Sequence, residues 1–147
     1  MKYILSISIL VCSIVVAQAQ VIQQADVPAA VLNAVKARYP NVSEIKWKLK
    51  DDEYRAEFKI DKRGHDIWLD KSGSIKKLKQ DISKNDLPDA VKQKIASEFK
   101  TFTIDDADKI EKGGITYYQV KLKAGTEERK VLLTSDGKIE KDKAKVE

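Results

Sequence analysis

Nucleophilic catalysis needs an activated hydroxyl or thiol beside a base, and this chain holds one histidine, His65, and one cysteine, Cys12. A triad on His65 would take Ser72 or Ser74 as nucleophile, but no G-x-S-x-G elbow presents either serine. His65 follows Arg63-Gly64, which reads as a turn, so it is expected to be a polar turn residue. Acid–base work would need two carboxylates held apart in pKa by a cleft. The available pairs, Asp51 with Asp52, Asp66 with Asp70 and Asp105 with Asp106, read instead as turn residues. Asp105-Asp106-Ala107-Asp108 has the charge for calcium, yet Ile110 stands at a ligand position and the glycine comes too late for an EF-type loop. One histidine cannot supply a zinc site of the usual kind. The reading is therefore a non-enzyme with no catalytic residue, no metal ligand and no cofactor; the alternative is an enzyme with an unfamiliar carboxylate site, which would need two acids sharing a cleft.

The elements that carry these residues begin after an apolar leader. Lys2 is followed by an apolar run over Ile4 to Val16 and the small-x-small string Ala17-Gln18-Ala19, the pattern of a secretory signal peptide cleaved after Ala19. The run is too short to span a hydrocarbon core of about 30 Å, so no transmembrane anchor is expected after cleavage. Cys12 lies within the leader, which leaves the mature chain without thiol chemistry or disulfides. A periplasmic or secreted protein is expected.

The 147 residues carry 28 Lys+Arg against 23 Asp+Glu, enough mixed charge for a folded, soluble surface. Only four of the 28 cations are arginines, and the lysines alternate with acids instead of forming a block. Both facts argue against nucleic acid as a partner.

The chain then repeats itself. Val27, Ala30, Val31, Val35 and Tyr39 recur as Leu87, Ala90, Val91, Ile95 and Phe99, all 60 residues later. Tyr54, Ala56, Phe58, Ile67, Leu69, Gly73 and Ile75 recur 64 residues later, so about four residues are inserted near Asp105 to Gly114. Apolar residues at steps of four predict a helix at the start of each copy, with Pro28 and Pro88 in the first turn. Strict alternation afterwards, as in Ile45-Lys46-Trp47-Lys48-Leu49, predicts antiparallel hairpins with one buried face. The expected fold class is α+β, a tandem repeat of one helix followed by an antiparallel sheet of three to four strands. Both helices should lie on one face of a joined, curved sheet. The expected organisation is a signal peptide over 1–19, an extension over 20–26, repeats over 27–78 and 87–141, a linker over 79–86 and a tail over 142–147.

The strings V-P-A-A-V and L-P-D-A-V at the helix starts, with an aromatic alternating strand and S-x-G-x-I after it, carry a family resemblance. The chain resembles the PepSY-like exported proteins, related in fold to the β-lactamase inhibitory protein and common in the envelopes of Bacteroidetes-type bacteria. The resemblance covers 27–141 and implies a tandem helix-plus-sheet fold whose curved sheet binds protein or peptide. Its motifs are folding motifs; no inhibitory loop matches.

Pleat parity then selects a candidate surface. If Tyr54, Phe58, Ile67 and Leu69 face the helices, Trp68, Tyr117 and Leu132 face away from them. Lys46, Lys48, Arg55, Lys59 and Lys121 share that outer face. Apolar anchors inside a cationic rim have the composition of a binding site for an acidic protein, peptide or envelope polymer. The alternative is ordinary cross-strand pairing, in which Trp68 only stabilises a bare sheet. A modulator of an exported protease or other hydrolase is a further reading, and a monomer or weak dimer is expected.

Overall fold

The structure, a computed structural model, describes residues 19–146, so the leader expected over 1–19 lies outside the described residues except for Ala19. Strand β1 (Gln20–Ile22) leads into helix α1 (Ala29–Arg38) and strands β2 (Lys46–Lys50), β3 (Glu53–Ile60), β4 (Arg63–Leu69) and β5 (Ile75–Asp81). Helix α2 (Asp89–Glu98) is followed by β6 (Thr103–Lys112), β7 (Ile115–Ala124), β8 (Glu127–Thr134) and β9 (Ile139–Val146). The fold is α+β. All nine strands form one antiparallel sheet in sequence order, with each helix followed by four strands.

The helices form where the four-residue spacing places them, and each buries one stripe. Val31 and Val35 of α1, and Val91 and Ile95 of α2, are buried against the sheet. Val27, Trp47, Ala56, Phe58, Ile67 and Leu69 complete one core. Leu87, Phe99, Val120, Leu122, Val131 and Leu133 lie in the other. Leu78 packs on the first core and Ile82 on the second, and both share one parity of the same segment. Both helices therefore cover the same face.

Several boundaries differ from expectation. Lys79–Asp81 is not linker but the end of β5, which pairs with β6 (Lys79 opposite Ile110, Asp81 opposite Asp108) and joins the halves into one sheet. Alternation there is hidden by lysine and glutamine on both faces. Residues 142–146 are not a tail but the greater part of β9, and Gln20–Ile22 of the extension pairs with β2. The turn expected at Arg63-Gly64 sits at Asp61-Lys62, where both residues take left-handed φ (50° and 67°), leaving Arg63 and Gly64 in β4.

The four extra residues of the second half also have a place. Ala107 opposes Val120 as Trp47 opposes Ala56, but β6 and β7 each run two residues further before turning at Gly113-Gly114. The insertion lengthens one hairpin. The weak alternation of β6 has its own cause, a bulge between Ile104 and Asp106 that sets Asp105 outside the register.

Candidate interaction face

The outer face of the sheet is built by the strict side-chain alternation that buries the inner one. Trp68 is on it, opposite Arg55 on β3 and Lys77 on β5. The indole is clamped between these cations, with Lys77 Nζ 3.4 Å and Arg55 Cζ 4.7 Å from the ring centroid. Burial against the ring lowers the Lys77 ammonium pKa from its ordinary value. Trp68 faces outward as the parity predicts, but its faces are already occupied.

Three of the five expected rim cations are also engaged. Lys48 Nζ lies 2.7 Å from Glu57, and Arg55 reaches Glu57 at 3.0 Å and Asp66 at 2.8 Å. Lys121 lies 3.1 Å from Glu128 and 3.4 Å from Asp105. Glu128 is held below its usual range chiefly by Lys121, and Asp105 chiefly by Lys123. Lys48, Arg55 and Lys121 are thus a cross-strand charge ladder and not a free rim. Asp66, Asp105 and Asp106 are strand residues within or beside it, not turn residues. Lys46 and Lys59 remain exposed at the far edge.

The face changes character across the seam. Tyr117 lies beside Ile110 across β6–β7, and Leu132 beside Gln119 across β7–β8. With Ile115, which is 52 % exposed, they form the floor of a shallow groove of about 630 Å³. Lys77, Lys112, Lys130, Lys141 and Lys143 surround it, with Glu140 as its acid. Glu140 is bonded to Lys138 at 2.7 Å. Lys130 stands opposite Lys143, and Leu132 opposite Lys141. Lys112, Lys130, Lys141 and Lys143 have no ion-pair partner among the described residues. Tyr117, Leu132 and Lys130 follow from parity; Lys141 and Lys143 of β9 beside them were missed because β9 reads as a tail.

Two polar residues, His65 and Asp108, are buried. His65 is no turn residue. It is 6 % exposed on the helix side, stacked on Phe58 with centroids 5.5 Å apart and edge-on to Tyr39 at 5.6 Å. Its Nδ1 lies 3.1 Å from the Arg63 carbonyl oxygen. With the turn moved to 61–62, parity alone would have placed it there.

Asp108 is 4 % exposed at the β5–β6 seam, where Lys79 Nζ lies 2.9 Å away and Gln119 Nε2 donates at 2.9 Å. Burial raises its carboxyl pKa despite Lys79, and Asp81 beside it pushes the same way. Asp81 Oδ2 accepts from the Gly64 N–H at 2.8 Å. These acids meet at the buried seam, where they join β5 and β6. No group of three or more metal-ligating side chains occurs among the described residues.

No described helix is long and apolar enough to cross a membrane. Three solved structures share the fold. A BLIP-like protein from Bacteroides fragilis is 25% identical with a TM-score of 0.69, covering 82% of this chain and 88% of that one. A DUF2874 family protein from Bacteroides uniformis is 20% identical with a TM-score of 0.73, covering 80% and 88%. A candidate periplasmic protein from Bacteroides eggerthii is 18% identical with a TM-score of 0.74, again covering 80% and 88%. Among functionally curated proteins, none matches this sequence. The model of the beta-lactamase-inhibitor-like, PepSY-like family matches residues 14–77 and 52–141, nearly the whole of what has been described, and the chain belongs to that family.

Proposed function

We propose that the protein is an exported, non-enzymatic binding module built from two copies of a helix-plus-sheet unit. It engages an acidic protein, peptide or envelope polymer through the outer face of the second half. The observation that supports this reading is the groove floored by Ile110, Ile115, Tyr117 and Leu132 and ringed by lysines without counter-ions among the described residues. In the first half the same face neutralises its own charges and packs cations on its aromatic ring, which leaves less for a partner to gain. Trp68, Lys48 and Arg55 therefore support the sheet, as does Lys121 of the second half through Asp105 and Glu128, while Tyr117 and Leu132 anchor the partner. Lys46 and Lys59 add positive potential at the far edge. Export rests on the leader pattern of residues 1–19.

The test is a titration with a labelled peptide alternating glutamate with tyrosine and leucine. Binding should weaken as salt rises from about 20 to about 300 mM, because the Debye length shrinks below the groove's dimensions. Leu132→Glu should abolish it. Equal affinity for the parent and this variant would remove the groove from the account.

A further inference from the structure

The two halves differ where the pleat would have them agree. In the second half β6 stays paired with β7 beyond its bulge. Ile104 lies opposite Leu122 and Thr103 opposite Lys123, and Thr103 Oγ1 donates to the Lys123 carbonyl at 3.3 Å. The counterparts of Leu122 and Lys123, 64 residues earlier, are Phe58 and Lys59. There the β2–β3 pairing stops at Lys46 opposite Glu57, and residues 41–45 leave the sheet.

This break exposes a specific pair of backbone groups. The two-residue turn Asp61-Lys62 closes on Ile60 and Arg63, so Ile60 and Phe58 direct their backbone N–H and C=O toward β4. Lys59 then directs its own toward the side that β2 leaves unpaired. Among the described residues, no backbone hydrogen bond reaches Lys59 from that side. The open edge borders a groove of about 860 Å³ floored by Tyr39, Val42, Ile45, Phe58 and Ile60. That volume is within the range of about 300–1,000 Å³ typical of ligand sites.

The second half shows what completes such a place. Phe102, 60 residues after Val42, lies edge-on to Phe99 at 6.2 Å and under the Arg129 guanidinium at 5.7 Å. Ile104 packs on the core beside it, and Asp105 lies 3.1 Å from Lys123. The run Phe102-Thr103-Ile104-Asp105 is therefore apolar, polar, apolar, acidic, with Thr103 and Ile104 paired antiparallel to β7 and Asp105 in the bulge.

We propose that the Lys59 edge and its groove bind an extended peptide segment of a partner protein with this same pattern, as a short added strand. The segment's polar residue would lie opposite Lys59 and exchange backbone hydrogen bonds with it. The flanking apolar side chains would enter the groove over Phe58 and Val42, and the acidic residue would meet the exposed Lys59 and Lys46 ammonium groups. Strand addition of this kind takes affinity from main-chain pairing and specificity from alternate side chains. The site lies at the β2–β3 edge, away from the Tyr117 face, so either can fail without the other.

The test uses an end-blocked peptide copying residues 100–105 (Lys-Thr-Phe-Thr-Ile-Asp), a scrambled control, and decanoate as a simple amphiphile, each titrated into the isotope-labelled protein. The expected result is saturable binding of the copy alone, with amide shifts at Val42, Phe58, Lys59 and Ile60. Val42→Phe, which installs the side chain the second half uses, should weaken it at least tenfold while the protein keeps its dispersed spectrum. Lys59→Ala should retain main-chain pairing and weaken binding by only a few fold. Binding of decanoate but not the peptide, equal binding by the scrambled control, shifts confined to the Tyr117 face, or undiminished affinity in Val42→Phe would each overturn the proposal.

Discussion

Lys77 Nζ sits 3.4 Å from the centroid of the Trp68 ring, with the Arg55 guanidinium 4.7 Å from the same centroid. This contact turns the outward-facing, half-buried Trp68 into part of the sheet's own cohesion. Trp68→Ala is expected to cost about 1–2 kcal/mol of stability through lost cation–π and cross-strand contacts. It should leave the affinity for an acidic peptide within about twofold, a change worth only ~0.4 kcal/mol. Urea unfolding and a binding titration on the same variant check both. Lost binding with unchanged stability would return Trp68 to the interface.

Gly73 and Gly137 are expected to be intolerant of a side chain. Both have φ of +85°, and an added Cβ would lie 2.6 Å from the Ala30 carbonyl oxygen or 2.7 Å from that of Ala90. The turn before β5 or β9 thus presses directly on the first turn of the helix in its own half. Gly73→Ala and Gly137→Ala should each destabilise by more than about 1 kcal/mol, from strain at left-handed φ and from the clash. Thermal denaturation of the two variants measures this. Gly113→Ala, in the open hairpin turn, meets nothing within 4 Å and should cost less.

Asp108 predicts a pH dependence of unusual sign. Burial lifts its native pKa, so between the unfolded and native values the folded chain holds more protons than the unfolded one. This group's contribution is therefore favourable at low pH and is lost as pH rises through the native value. Asp70, held low by Lys76 and Ser72, runs oppositely and loses its contribution as pH falls through its native pKa. Asp108→Asn should gain most over the parent near neutral pH, the gain shrinking as pH falls. Urea midpoints between about pH 4 and 8, above the unfolded aspartate range, follow the difference. A constant difference would show that Asp108 titrates normally.

Much of this architecture was legible because its signals are local. Val31 and Val35, or Ile67 and Leu69, announce their faces through spacing alone, and the offsets of 60 and 64 residues carry that pattern into the second half. The seam was not legible. Lys79, Gln80 and Asp81 have no apolar alternation, and their partners Asp108–Ile110 lie on a strand beyond the second helix, out of reach of any local signal. β9 is hidden for the same reason, since Lys141, Asp142 and Lys143 are polar on both faces. The candidate site inherits this division: its apolar anchors follow from parity, whereas its unpaired lysines depend on β9 and on which acids the charge ladder consumes.

The central claim is that the outer face of β6–β9, with its uncompensated lysines, is the binding surface. Amide shift mapping of the isotope-labelled protein with the alternating glutamate peptide tests it most directly. The predicted result is a contiguous set of shifts at Lys112, Ile115, Tyr117, Lys130, Leu132 and Lys141 that disappears in Leu132→Glu. Shifts centred on Trp68 and Lys48, or on the helices, would contradict it.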